Sequence, residues 1–185
     1  MFWTYTVLLS QTVLYAEERS PHSIQIQLRL DGTSHNRGFG SQFVYRWKPK
    51  SQLGIDFIGG VGYLRQSPNW LSDMASIYLS IGPSWHKNIS HNFSIYSGIR
   101  FLHLHHATLE SWRNTPFANL TGDSAGGVLH RSGFGMAIGC SQKEVVKTWG
   151  ANFSWENEVS MHMVPSSTAY FFFASFATGL RWVLP

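Results

Sequence analysis

SIQIQLRLDG, residues 23–32, alternates residue by residue. Ile24, Ile26, Leu28 and Leu30 fall on one face; Ser23, Gln25, Gln27, Arg29 and Asp31 fall on the other. Period two is the repeat of a β-strand. The fold turns on which face looks inward. A soluble protein would bury the apolar face in a core. A membrane barrel would turn it out to lipid and close the polar face around a lumen.

The rest of the chain repeats the pattern. Alternation predicts eight strands, at about 23–31, 39–47, 53–65, 76–86, 93–104, 132–141, 149–160 and 169–183. Each sets a large apolar face against a small or polar one. Phe39, Phe43, Tyr45 and Trp47 oppose Gly40, Gln42 and Arg46; Phe134, Met136 and Ile138 oppose Gly135, Ala137 and Gly139. Such second faces are too small and too polar for the dry interior of a sandwich. They suit a narrow barrel, where Arg29, Arg46, Arg100 and Arg181 can pair with Asp56, Glu156 and Glu158. The fold class expected is therefore all-β: an eight-stranded antiparallel transmembrane β-barrel, with short periplasmic turns and longer extracellular loops.

Composition agrees. Charged residues are 13% of the 185, against about 25% in ordinary soluble domains. Aromatics are 15%, with eight Trp, and mean hydropathy is −0.12. Lipid-facing and lumen-facing residues cancel in such an average. After the N-terminus no run of ~18 apolar residues marks a membrane helix. One cysteine, Cys140, rules out an internal disulfide. The pI near 9.4 comes without a long basic run, so nucleic acid is not an expected partner.

The connections set the orientation. KPKSQ (48–52), KNISHN (87–92) and QKEVVKT (142–148) read as short turns. GTSHNRG (32–38), QSPNWLSDMA (66–75), the stretch near 105–131 and MHMVPSSTA (161–169) read as longer loops, in alternation with them. All five lysines lie in the short turns, which places those turns at one end. Outward aromatics form two rings. Tyr45, Trp47, Trp85, Phe93, Trp149 and Trp182 belong to the turn end; Phe39, Tyr63, Phe101, Phe134, Trp155 and Tyr170 belong to the loop end. Residues 1–16 read as a signal peptide, with cleavage after Ala16, and 17–185 as the barrel domain.

The chain resembles the Ail/Lom family of outer-membrane proteins, which includes OmpX, PagC and Rck. The resemblance runs through GFGSQFVYRW with LGIDFIGGVGY, then IYLSIGPSWHKNISHNFSIYSGI, SGFGMAIGCS and the closing TGLRW. It covers nearly all of residues 23–182 in order. It implies a monomeric integral protein of the bacterial outer membrane, without cofactor or catalysis. Its loops would mediate adhesion to or invasion of host cells, or resistance to complement. The partners implied are outer-membrane lipids and lipopolysaccharide, with host cell-surface, matrix or complement-regulatory proteins. Two features depart from the family: Val183, Leu184 and Pro185 follow the terminal aromatic position at Trp182, and SWRNTPFANLTGDSAGG matches no assignable loop.

Candidate binding residues lie toward the loop end: Arg37, Arg65, Trp70, Trp112, Arg113 and Arg131. Arg and Trp are favoured at binding hot spots, and guanidinium suits phosphate. Two other constellations suggest chemistry. His103, His105 and His106 are dense enough for a metal, but no Cys or carboxylate stands at supporting spacing, so no metal site is expected. His130-Arg131-Ser132 resembles the His-x-Ser pair of PagL-type lipid A deacylases. A triad needs an orienting group, and the parity of Glu156 and Glu158 turns both into the lumen while Asn157 and Val159 face out. The alternative functions are thus a lipid A-modifying enzyme of the 3-O-deacylase kind, with His130 and Ser132 as its candidates, and a structural membrane protein without a dedicated ligand.

Overall fold

The computed structural model describes residues 20–33, 36–50, 52–66, 73–108, 129–148, 151–165 and 170–184. The signal-peptide reading and Trp70, Trp112, Arg113 and Trp149 lie outside them. Among the described residues every regular element is a strand: β1 (His22–Thr33), β2 (Asn36–Trp47), β3 (Leu53–Gln66), β4 (Met74–Asn88), β5 (Phe93–Thr108), β6 (Leu129–Thr148), β7 (Ala151–Pro165) and β8 (Tyr170–Val183). Each pairs antiparallel with its sequence neighbours, and β8 closes on β1, giving a barrel in simple up-and-down order. A closed sheet has no open edge, which is what hydrocarbon demands of a spanning sheet.

The facing question is settled on β1. Leu28 is 71% exposed and its neighbour Arg29 is 3% exposed. The apolar face points out all round the barrel: Phe39 and Phe43 on β2, Phe57 and Val61 on β3, Leu79 and Ile81 on β4, Met136 and Ile138 on β6 are all exposed. On β2 the band runs from Trp47 up to Phe39. That is about 27 Å of strand at ~3.4 Å per residue, or roughly 21 Å along the axis at a ~40° tilt, close to the ~25 Å apolar band of outer-membrane barrels.

The inward faces fill the lumen. Arg46 makes a two-pronged contact to Asp56 at 2.7 and 3.1 Å, and its third nitrogen lies 3.2 Å from both oxygens of Glu156. Arg100 joins Asp56 at 2.8 Å to Glu158 at 3.2 Å, and Arg181 reaches Glu156 at 3.0 Å. Ser84 Oγ donates to Asp56, and Tyr96 OH to Glu158. Three guanidinium groups thus face three carboxylates drawn from β2, β3, β5, β7 and β8. The fourth expected partner behaves differently: Arg29 pairs along its own strand with Asp31 at 2.6 Å and lies over the Tyr78 ring. The inward glycines make room for these large groups. A Cβ at Gly60 would stand 2.7 Å from Tyr78 Oη, and one at Gly139 2.5 Å from Tyr96 Oη. Toward the loop end Leu64, Leu102, Leu104 and Val164 are fully buried alongside the buried polar groups Arg29, Asp31, Ser76 and His106, so large apolar side chains share the lumen with polar ones there.

Several strands outrun their sequence boundaries. β1 and β2 continue through most of GTSHNRG, pairing Gly32 with Arg37 and leaving only 34–35 between them. QKEVVKT belongs to β6, with a register shift between Gln142 and Val146. Only 149–150 separate β6 from β7. β7 extends to Pro165, absorbing MHMVP. This moves Trp155 to the turn end, opposite Leu180 and Gln142. The longer connections, 67–73 and 109–128, are both at the loop end. The residues after Trp182 continue the closure: Val183 pairs with Ser23, and Leu184 N donates to the His22 carbonyl at 3.0 Å.

Candidate functional site

Above the aromatic ring Phe39, Tyr63, Phe101 and Phe134, the outward faces turn polar. On β2 and β3 the next outward residues are Arg37 and Arg65, directly opposite each other and both exposed. Just below them Phe39 and Tyr63 pack with centroids 5.5 Å apart, and Tyr63 OH donates to Asp73. Like charges directly across a ladder repel. An anion seated between two guanidinium groups would reverse the sign of that interaction. Arg131 does not join them. Its register partner is the inward Leu104, which gives it lumen parity and separates it from the outward pair.

A second polar cluster crowns β5 and β6. Register pairs His103 with Ser132 and His105 with His130, all four with the outward parity of Phe101 and Phe134. His103 Nδ1 lies 2.8 Å from Ser132 Oγ, and His103 Nε2 lies 2.9 Å from His105 Nε2. The His105 and His130 rings are 4.4 Å apart and those of His103 and His130 5.8 Å. The partner that Ser132 meets is therefore His103 from the next strand, where the His-x-Ser spacing had pointed to His130. His106 is elsewhere, buried on the lumen face. Among the described residues no acid enters the cluster. Glu156 and Glu158 are committed inside, and the outward Asn157 accepts from Thr178.

Below His103 the outer wall is recessed. Gly59 has no side chain to fill the face between Phe57 and Val61, and an apolar cleft of about 430 Å³ results. Phe43, Phe57, Leu79, Ile81 and Phe101 line it, with His103 at its upper end. Sequence reasoning missed both this cleft and the His103–Ser132 contact. The contact depends on β5–β6 register across a long connection, which spacing along one strand does not reveal.

No family model and no curated protein matches the chain. Solved structures do. Neisserial surface protein A (NspA) is 11% identical, with 89% of this chain and 98% of that one covered at a TM-score of 0.64. The outer membrane protein OprG from Pseudomonas aeruginosa is 8% identical, with 88% and 96% covered at 0.51. Ail, the attachment invasion locus protein of Yersinia pestis, is 13% identical, with 86% and 98% covered, but at 0.39 the superposition is too loose to argue from. The likenesses to NspA and OprG establish the fold: an eight-stranded barrel of the outer-membrane type, as the sequence resemblance implied.

Proposed function

We propose that this chain resides in a bacterial outer membrane and works there as a non-enzymatic surface-binding protein. It engages lipopolysaccharide at its rim and host components through its loops. The observation that carries the reading is the exposed cross-strand pair Arg37 and Arg65 at headgroup height. Two arginines held as cross-strand register partners are unfavourable alone and suited to a phosphate or sulfate group. A lumen occupied by its own charge network and large buried side chains leaves the outer surface as the place for function. Adhesion, invasion or serum resistance are the surface activities that the Ail/Lom resemblance adds to this. Expression in a serum-sensitive bacterium, with display confirmed by protease shaving, tests it. Serum survival and host-cell binding should rise, and should fall again when residues 109–128 are replaced by a short Gly/Ser link. Unchanged survival and binding despite confirmed display overturn the reading.

One observation favours a second reading. Ser132 Oγ, His103 and His105 form a hydrogen-bonded file at the head of the apolar cleft of about 430 Å³. A serine next to an imidazole is the minimum of an ester-cleaving site. Lipid A mass spectra discriminate the two readings. An unchanged spectrum accords with the binding protein, and loss of one acyl chain that Ser132→Ala abolishes establishes the hydrolase.

A further inference from the structure

We propose that His103, His105 and His130 form a binding site for a late first-row divalent cation, of which Zn²⁺ is the natural probe. Their ligating nitrogens all lie within 4.8 Å of one another. In tetrahedral zinc, bonds of ~2.0–2.1 Å place neighbouring nitrogens about 3.4 Å apart. One pair here, His103 Nε2 and His105 Nε2, is already at 2.9 Å. Closure therefore asks for a small outward shift of that pair and a small inward swing of His130, which is exposed and has room for it. Three neutral imidazoles suit zinc, copper or nickel and do not suit magnesium or calcium.

The surroundings support ligation. Metal-bound imidazole characteristically uses its other ring nitrogen to hold an outer partner, which fixes the tautomer. Here His103 Nδ1 has that partner in Ser132 Oγ, leaving Nε2 to face the other two rings. The ladder contributes as well. His105 and His130 are direct register partners, so two of the three ligands are positioned by backbone pairing. Three protein ligands leave one position open, at the level where lipid headgroups or water can supply an oxygen. Sequence spacing groups His103 and His105 with His106; register puts His106 on the lumen face and brings His130 of β6 to the other two instead.

The metal site and the ester-cleaving file require opposite tautomers of His103. Ligation at Nε2 makes Nδ1–H the donor to Ser132. General-base action makes Nδ1 the acceptor from the serine.

The test is Zn²⁺ titration, by calorimetry, of the full-length barrel refolded in detergent micelles without a histidine tag. Folding of each variant is checked by heat-dependent gel mobility. One equivalent should bind, and Co²⁺ in its place should show the intense visible bands of a four-coordinate site. Ser132→Ala, which removes only the outer partner, should weaken Zn²⁺ by about 10–100-fold. His130→Ala and His105→Ala should each weaken it by more than that. His91→Ala, on an exposed turn at the other end, should change nothing. If His105→Ala disturbs folding, the exposed His130→Gln carries the same expectation. Absence of a one-equivalent site in the wild-type barrel overturns the proposal, and so does full-affinity binding in folded His130→Gln.

Discussion

At the scale of single residues, the rim is built from groups whose neighbours were invisible along the chain. Arg37 and Arg65 were both named from sequence as loop-end cations, yet their meaning lies in being register partners. That predicts a separation of stability from function. Arg37→Glu converts a repelling cross-strand pair into an attracting one. The urea midpoint of the refolded barrel should rise, while binding to lipopolysaccharide or a sulfated polysaccharide should fall and lose much of its salt dependence. Tryptophan fluorescence in urea reads the first, and binding at two ionic strengths reads the second. A variant that keeps wild-type binding would remove the Arg pair from the site. Ser132 and His103 teach the same point: His-x-Ser spacing directed attention along β6, whereas the hydrogen bond crosses to β5.

At the scale of elements, alternation located all eight strands and their facing, but not their ends. The reason is physical. Hydrophobic alternation records where a strand crosses hydrocarbon, while the hydrogen-bonded ladder continues above it. Over that upper stretch the outward residues of β2, β3, β5 and β6 are Arg37, Arg65, His103, His105 and His130, so outward polarity no longer contrasts with the lumen face and period two fades. β7 differs: Met161 and Met163 stay outward and apolar, but the buried Val164 and the turn-forming Pro165 blur the contrast, so alternation alone ends the strand near Ser160 and puts Trp155 with the loop-end ring, whereas the strand runs to Pro165. Facing itself is testable on β1. Leu28 is outward near mid-band, between Ser41 and Thr178 on the flanking strands. Leu28→Arg should destabilise the barrel by about 2–4 kcal/mol, the cost of a basic side chain on the lipid face near the bilayer midplane. The unfolding midpoint in lipid vesicles measures it. An unchanged midpoint would mean that this face does not meet hydrocarbon.

At the scale of the molecule, β2, β3, β5, β7 and β8 are tied together through the lumen by a small set of charges. Asp56 on β3 is its centre, fully buried, accepting from Arg46 on β2, Arg100 on β5 and Ser84 on β4. The sequence showed that these arginines and acids share the inward face. It did not show that Arg29 leaves the network for Asp31, because that choice depends on side-chain reach inside the closed barrel. The network is balanced, so removing one negative charge leaves it with one buried positive charge in excess. Asp56→Asn keeps the volume and deletes the charge, with Arg46 still facing Glu156 and Arg100 still facing Glu158. Breaking a buried pair in this way costs about 3–5 kcal/mol, which should appear as a lower urea midpoint with the heat-dependent gel shift retained. The same network predicts electrical silence. The wild-type barrel in a planar bilayer should show no steady conductance, since the lumen is occupied by Arg46, Arg100, Tyr78 and Tyr96 from several strands, with the buried Leu64, Leu102, Leu104 and Val164 filling space beside them. Asp56→Asn should stay silent, because the side chains that fill the lumen remain and only their attraction is lost. Steady channel openings in the wild type would make the buried charges an ion path and move the function from the rim to the lumen.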